Sequence, residues 1–254
     1  MIIKDAPSKI IPMQSEGEVR LHLAAVYRLL AYFKMDDLIF THASVRVPGE
    51  DAFLINPFGL LFREITPDVL VKLDFAGRVV GNDRYPANAA GFVIHGAILA
   101  ANPDINCVIH THTRAGVAMS CLQDGLMPIN QFAIEFHKRI GYHEYEGIAF
   151  NMEEGARLNR DIAGNVALVL RNHGLLTVGA NIPASFYFTY YLEQAAQVQM
   201  DVLASGRPIL HPSPEVVEAT MPQYTSAFNP PLAGQRMWPA MLRLLDAVDP
   251  TWRG

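Results

Sequence analysis

Residues 88–112, NAAGFVIHGAILAANPDINCVIHTH, restrict the fold more than any other stretch of the chain. Residues 89–101 carry no charged side chain, and Asn88 stands where it can cap a first turn, so they predict a buried apolar helix. Asn102-Pro103 stops it, because proline offers no N–H and disfavours helical geometry in the residue before it. NCVIHTH then reads as a buried strand. An apolar helix feeding directly into an apolar strand needs cover on both elements, which predicts helices layered over a sheet. Half of the 254 residues are hydrophobic, enough for one large core.

The rest of the chain fits that plan. Residues 17–34 place Val19, Leu23, Val26, Leu29, Leu30 and Phe33 at helical spacing. SVRVPGEDAFLIN (44–56) predicts two strands around a turn, and RVVG (78–81) a short strand after DFAG. RAGVAMSCL predicts a short helix. NVALVLRNHGLLTVG predicts strand, glycine break and strand, and the segment from Pro183 a long helix. A last helix is expected around 237–248. The fold class expected is α/β, one mixed sheet covered by helices. The organisation expected is a flexible segment 1–16, a domain 17–207 and a C-terminal helical extension 208–254.

A net charge of −5 argues against nucleic acid, which needs a positive face. With no apolar run near 18 residues and no signal-peptide core, no membrane span is expected and the protein should be soluble and cytoplasmic. Cys107 and Cys121 are expected to be two buried thiols.

The histidines carry the chemistry. Side chains at i and i+2 of a strand share a face, so His110 and His112 can reach one ion. Zinc takes imidazole nitrogen and usually three or more protein ligands, and His173 in RNHGLL is the best third candidate. Three histidines and one open position suit a cation that polarises a substrate oxygen. By default His95 reads as a hydrogen-bonded core residue, and His22 and His42 as structural or surface residues. AIEFHKRIGYHEYEG is rich in titratable groups, and Glu135, His137, Tyr142, His143 and Glu144 are candidate acids or bases. Arg114, just after HxH, ranks first among the arginines for substrate.

THASVRVPG, FLINPFGLLFREITPDVLVKLDFAGRVV, NAAGFVIHGAILAANPDINCVIHTHTRAGVAMSCL and VLRNHGLLTVG, in this order, resemble the class II aldolase/adducin family, closest to the adducin head and its short bacterial relatives. The resemblance spans about 17–207. It implies a three-layer α/β/α fold with a largely antiparallel mixed sheet, and a homotetramer with sites at subunit interfaces. It also implies Zn2+ or another divalent metal on His110, His112 and His173, with a small-molecule substrate near Asn56, Gly59 and Arg114.

The departures matter as much. Aldolases of this family carry an acid/base glutamate four residues before the position of His95; here that position is Gly91. Thr41-His42 replaces a phosphate-binding Gly-Asn pair, Ala89 and Ala90 replace small hydroxylated residues, and Phe58 replaces a Ser/Thr. The expected function is therefore a metal-dependent lyase (aldol cleavage, decarboxylation or dehydration) on a small oxygenated substrate. His95, Glu135, His137, Tyr142 and His143 are the candidates for the missing acid/base. The alternative is a catalytically silent, adducin-like oligomeric scaffold.

Overall fold

Seven strands make one mixed sheet, in the order β3-β2-β1-β4-β7-β6-β5. The computed structural model describes residues 13–81, 84–148, 153–226 and 230–254. In chain order the elements are α1 (Glu16–Tyr32), β1 (His42–Arg46), β2 (Ala52–Ile55), β3 (Val71–Asp74), α2 (Ala89–Gly91), a π-helical turn (Phe92–Gly96) and α3 (Ala97–Ala101). There follow β4 (Cys107–Thr111), α4 (Arg114–Ser120), α5 (Gln131–Ile134), β5 (Ile140–His143), α6 (Glu154–Ile162), β6 (Ala167–Leu170) and β7 (Gly174–Gly179). The long α7 (Ile182–Ala204), α8 (Pro214–Ser226) and α9 (Pro230–Val248) close the chain. Every neighbouring pair is antiparallel except β5–β6, so the sheet is mixed and largely antiparallel.

Strand alternation assigns side chains to two covered faces. On one, Val45, Leu54, Cys107 and Ile109 pack in a core with Leu23 and Leu30 of α1, Phe186 of α7 and Trp238 of α9. On the other, Phe53, Ile55, Val108 and Leu176 pack with Ile94 of the π turn, Ile98 of α3 and Leu158 of α6. The result is the expected three-layer α/β/α arrangement.

The expected helix over 89–101 forms, but with a π turn in its middle, a rare geometry that recurs near functional sites. Of the segment 1–16, residues 1–12 lie outside the described residues. Ser15 caps α1 in a reciprocal capping box with Glu18. RVVG forms no full strand: Val79 bridges Leu73 of the edge strand β3, with Val80 N–H donating to the Lys72 carbonyl and Asp74 N–H to the Arg78 carbonyl, across a turn closed by Gly77 at φ +82°. The Thr66 hydroxyl donates to Asp68 within a turn. Cys107 is buried as expected, but Cys121 sits at the C-cap of α4 and is exposed.

Candidate metal centre

β1 and β4 are antiparallel neighbours, with His42 opposite His110 and Ser44 opposite Val108. These residues alternate onto the face beneath the π turn. His112 lies one residue beyond β4, just before Thr113, which caps α4 by accepting from Gly116 N–H. His173 comes from the turn between β6 and β7. The sharp bend there is made by Asn172 at φ +57°, not by the following glycine. Gly174 is required for a different reason: a Cβ on it would lie 2.4 Å from the Thr111 carbonyl oxygen. The close approach of β7 to β4 brings His173 to the HxH pair.

The three Nε2 atoms converge. His110 Nε2 lies 2.8 Å from His112 Nε2 and 3.2 Å from His173 Nε2. Nitrogens bound to one tetrahedral zinc, each about 2.1 Å from it, are roughly 3.3 Å apart. Hydrogen bonding behind the rings fixes two tautomers. His110 Nδ1 faces the Leu175 carbonyl oxygen at 2.9 Å, and His112 Nδ1 faces the Asp37 carboxylate at 2.9 Å. Both partners only accept, so both Nδ1 atoms carry a proton, and in the neutral imidazole Nε2 then presents a lone pair. Two lone pairs 2.8 Å apart repel unless a metal cation or a shared proton lies between them. Burial also pushes the His110 pKa well below its ordinary value and that of His173 to about 4, which keeps both imidazoles neutral and able to ligate. The donor set fits a divalent transition metal, and these three residues form the one group among the described residues that could hold it.

Asp37 orients His112 in the manner of a carboxylate behind a metal-binding imidazole. Nothing in the local sequence marks it, because the pairing spans 75 positions. Asp37→Ala is expected to lower metal affinity about 10- to 100-fold, read by competition with a chromophoric chelator.

His42 was also invisible as a site residue, read by default as structural or surface. It is buried, its Nδ1 lies 2.8 Å from His95 Nε2, and Ser44 Oγ lies 2.6 Å from His95 Nδ1. The three form a chain running to the edge of the histidine cluster, with His42 and His110 ring centroids 5.2 Å apart. Burial holds His42 and His95 well below the usual histidine range. Gly91 faces this chain: a Cβ there would meet the His42 ring at 3.1–3.2 Å and Ile55 Cδ1 at 2.9 Å. The imidazole of His42 thus packs directly against Gly91.

The other expected site residues are dispersed. His137 binds Glu218 at the surface, and Tyr142 accepts from Leu126 N–H while Arg171 lies over its ring. His143 is buried between Asp161 at 2.8 Å and Glu154 at 3.4 Å. Asn56 is fully buried, its Oδ1 accepting from the Tyr27 hydroxyl at 2.9 Å. Gly59 takes φ +104° in an open turn. Arg114 is exposed at the start of α4, on a cavity of about 630 Å³ shared with Lys34. Tyr145, not anticipated, stands beside His173 with centroids 6.5 Å apart.

Glu135 is buried, and burial raises its carboxyl to about 7 against the partial relief of the Tyr187 hydroxyl. An acid whose folded pKa lies above its unfolded value of 4.5 leaves the protein most stable below that value. Stability then falls as pH rises from 4.5 through about 7. Glu135→Gln is expected to stabilise the chain by roughly 3 kcal/mol near pH 8 and by almost nothing near pH 4, measured by denaturant unfolding at both.

Residues 21–200 match the family model described as the Class II Aldolase and Adducin N-terminal domain. A Pseudomonas aeruginosa protein assigned provisionally to the class 2 aldolases is 42% identical over 241 residues, 94% of this chain and 93% of that protein. Rat alpha-adducin is 37% identical over 92% of this chain, which spans only 34% of the adducin. Among solved structures, an aldolase II superfamily protein from Pseudomonas syringae superposes with a TM-score of 0.89 at 42% identity, covering 96% of this chain and 98% of that one. An L-fuculose 1-phosphate aldolase from Glaciozyma antarctica shares the fold, with a TM-score of 0.81 at 24% identity over 96% and 95% of the two chains.

Proposed function

Because the chain belongs to the class II aldolase and adducin family, we propose that it is a metal-dependent lyase acting on a small oxygenated substrate by aldol cleavage, decarboxylation or dehydration. The observation that carries this reading is the convergence of three imidazole nitrogens, two with their lone pairs turned inward by Leu175 and Asp37. Zinc is the metal favoured by an all-imidazole donor set; bound there, it would stabilise negative charge developing on a substrate oxygen.

The chain's own residues supply the remainder. Leu175 and Asp37 hold His110 and His112 in the ligating tautomer. His42, backed by His95 and Ser44, presents a nitrogen heterocycle beside the cluster where Gly91 offers no carboxylate. Beside the polar groups, large apolar side chains are exposed: Leu38 and Phe40 follow Asp37 in the chain, the Phe40 and Phe58 rings are 6.2 Å apart, and Tyr145 stands beside His173. This rim favours a substrate held without a phosphate pocket. It equally suits a second subunit, and we assign the chain a homotetramer with sites at subunit interfaces. No helix among the described residues is long and apolar enough to cross a membrane. The exposed thiol of Cys121 suits the reducing cytoplasm.

The test compares zinc-loaded and chelator-stripped protein on ketose 1-phosphates, their unphosphorylated counterparts and β-hydroxy acids. Turnover that requires metal and survives loss of the phosphate is expected. A second reading, a silent oligomeric scaffold, draws on the similarity to alpha-adducin and on Gly91. A histidine cluster that takes up no metal would favour it.

A further inference from the structure

A cavity of about 700 Å³ opens between α5, α7, α8 and α9, and none of the three histidines or their hydrogen-bond partners lines it. Its volume falls within the range of small-molecule sites. Glu135 lines it while only 1% exposed, with one oxygen accepting from the Tyr187 hydroxyl at 3.1 Å. The other oxygen, Oε1, meets no donor among the described residues. A buried carboxyl with an unmet acceptor is costly, and a leucine there would serve packing better. The walls are aromatic: Phe132 and Tyr191 have centroids 5.6 Å apart, Tyr187 and Tyr191 4.7 Å, and Tyr224 lies across from them on α8. Arg236, exposed on α9, also lines the cavity and has no carboxylate partner among the described residues.

We propose that this cavity is a second binding site, for a small aromatic acid that also carries a hydroxyl or amino group. Each part of such a molecule answers a feature of the lining. The hydroxyl or amine donates to Glu135 Oε1, the ring stacks among Phe132, Tyr191 and Tyr224, and the carboxylate pairs with Arg236. A purely apolar ligand would leave Glu135 unmet, and a sugar phosphate would leave the aromatic walls without a flat partner.

Calorimetric titration of the full chain, stripped of metal by chelation, with 4-hydroxybenzoate, 4-aminobenzoate and benzoate tests the site. Saturable binding of the two substituted acids is expected without metal, so the result does not depend on the proposed lyase centre. Glu135→Leu should weaken the two substituted acids about tenfold and leave benzoate unchanged, while Arg236→Gln should weaken all three. Absence of binding, binding that appears only with metal, or unchanged affinity in both variants would overturn the proposal. If Glu135→Leu does not fold, Arg236→Gln decides alone, since its side chain is exposed and makes no ion pair among the described residues.

Discussion

His110→Ala is expected to remove the metal and, with it, every metal-dependent property of the chain. His110 is central to the cluster: its Nε2 is the atom common to both short contacts, and its ring is fixed from behind by the Leu175 carbonyl. A residue that only orients a ligand is worth 10- to 100-fold in affinity, so deleting the ligand itself should cost more than about 100-fold. Metal present at about 100 times its dissociation constant stabilises a folded chain by about 2.7 kcal/mol. That is roughly 5–10 °C in a chain of this size. The wild-type protein should therefore melt higher when zinc is added and the variant should not, with metal content by elemental analysis falling in parallel. The metal-free variant should lose little, because the substitution also removes the confrontation of two lone pairs 2.8 Å apart. A zinc-dependent rise in melting temperature that survives the substitution would refute the centre.

Gly174→Ala is expected to damage fold and site together. The added Cβ would lie 2.4 Å from the Thr111 carbonyl oxygen and 3.2 Å from His112 Cδ2. The first obstacle is backbone in a central strand pair, where Thr111 faces Leu175, so no side chain can swing aside. Overpacking of this kind costs about 3 kcal/mol, or roughly 6–12 °C of melting temperature. Because β4 and β7 must separate to accept it, His112 and His173 move with them and zinc uptake should fall as well. Gly59→Ala provides the contrast. Its φ of +104° is unfavourable for alanine, but nothing lies within 4 Å, so it should lose about 1–2 kcal/mol without touching metal content.

Periodicity and punctuation made much of this architecture legible. Apolar spacing located α1, Pro183 marked the start of α7, the Asn102-Pro103 stop separated the helical segment from β4, and HxH placed two candidate ligands. Short elements were harder. β3 and β5 are four residues each, and their pairing depends on partners far along the chain. RVVG has strand-like composition, but the tight turn at Gly77 limits its pairing with edge strand β3 to a single bridge. Cys121 follows an apolar run, yet helix geometry turns it outward.

The candidate site divides in the same way. The three histidines that could hold a metal were singled out by sequence alone, because strand alternation and the family-like motifs both act over a few residues. Tertiary structure decided how they become a centre. Asp37 orients His112 from 75 positions away, Leu175 fixes the tautomer of His110 across a strand pair, and His42 fills the space that Gly91 leaves open. Those contacts depend on strand register and on backbones approaching to van der Waals distance. Both are set by packing of the whole sheet and leave no periodic trace in the residues that make them.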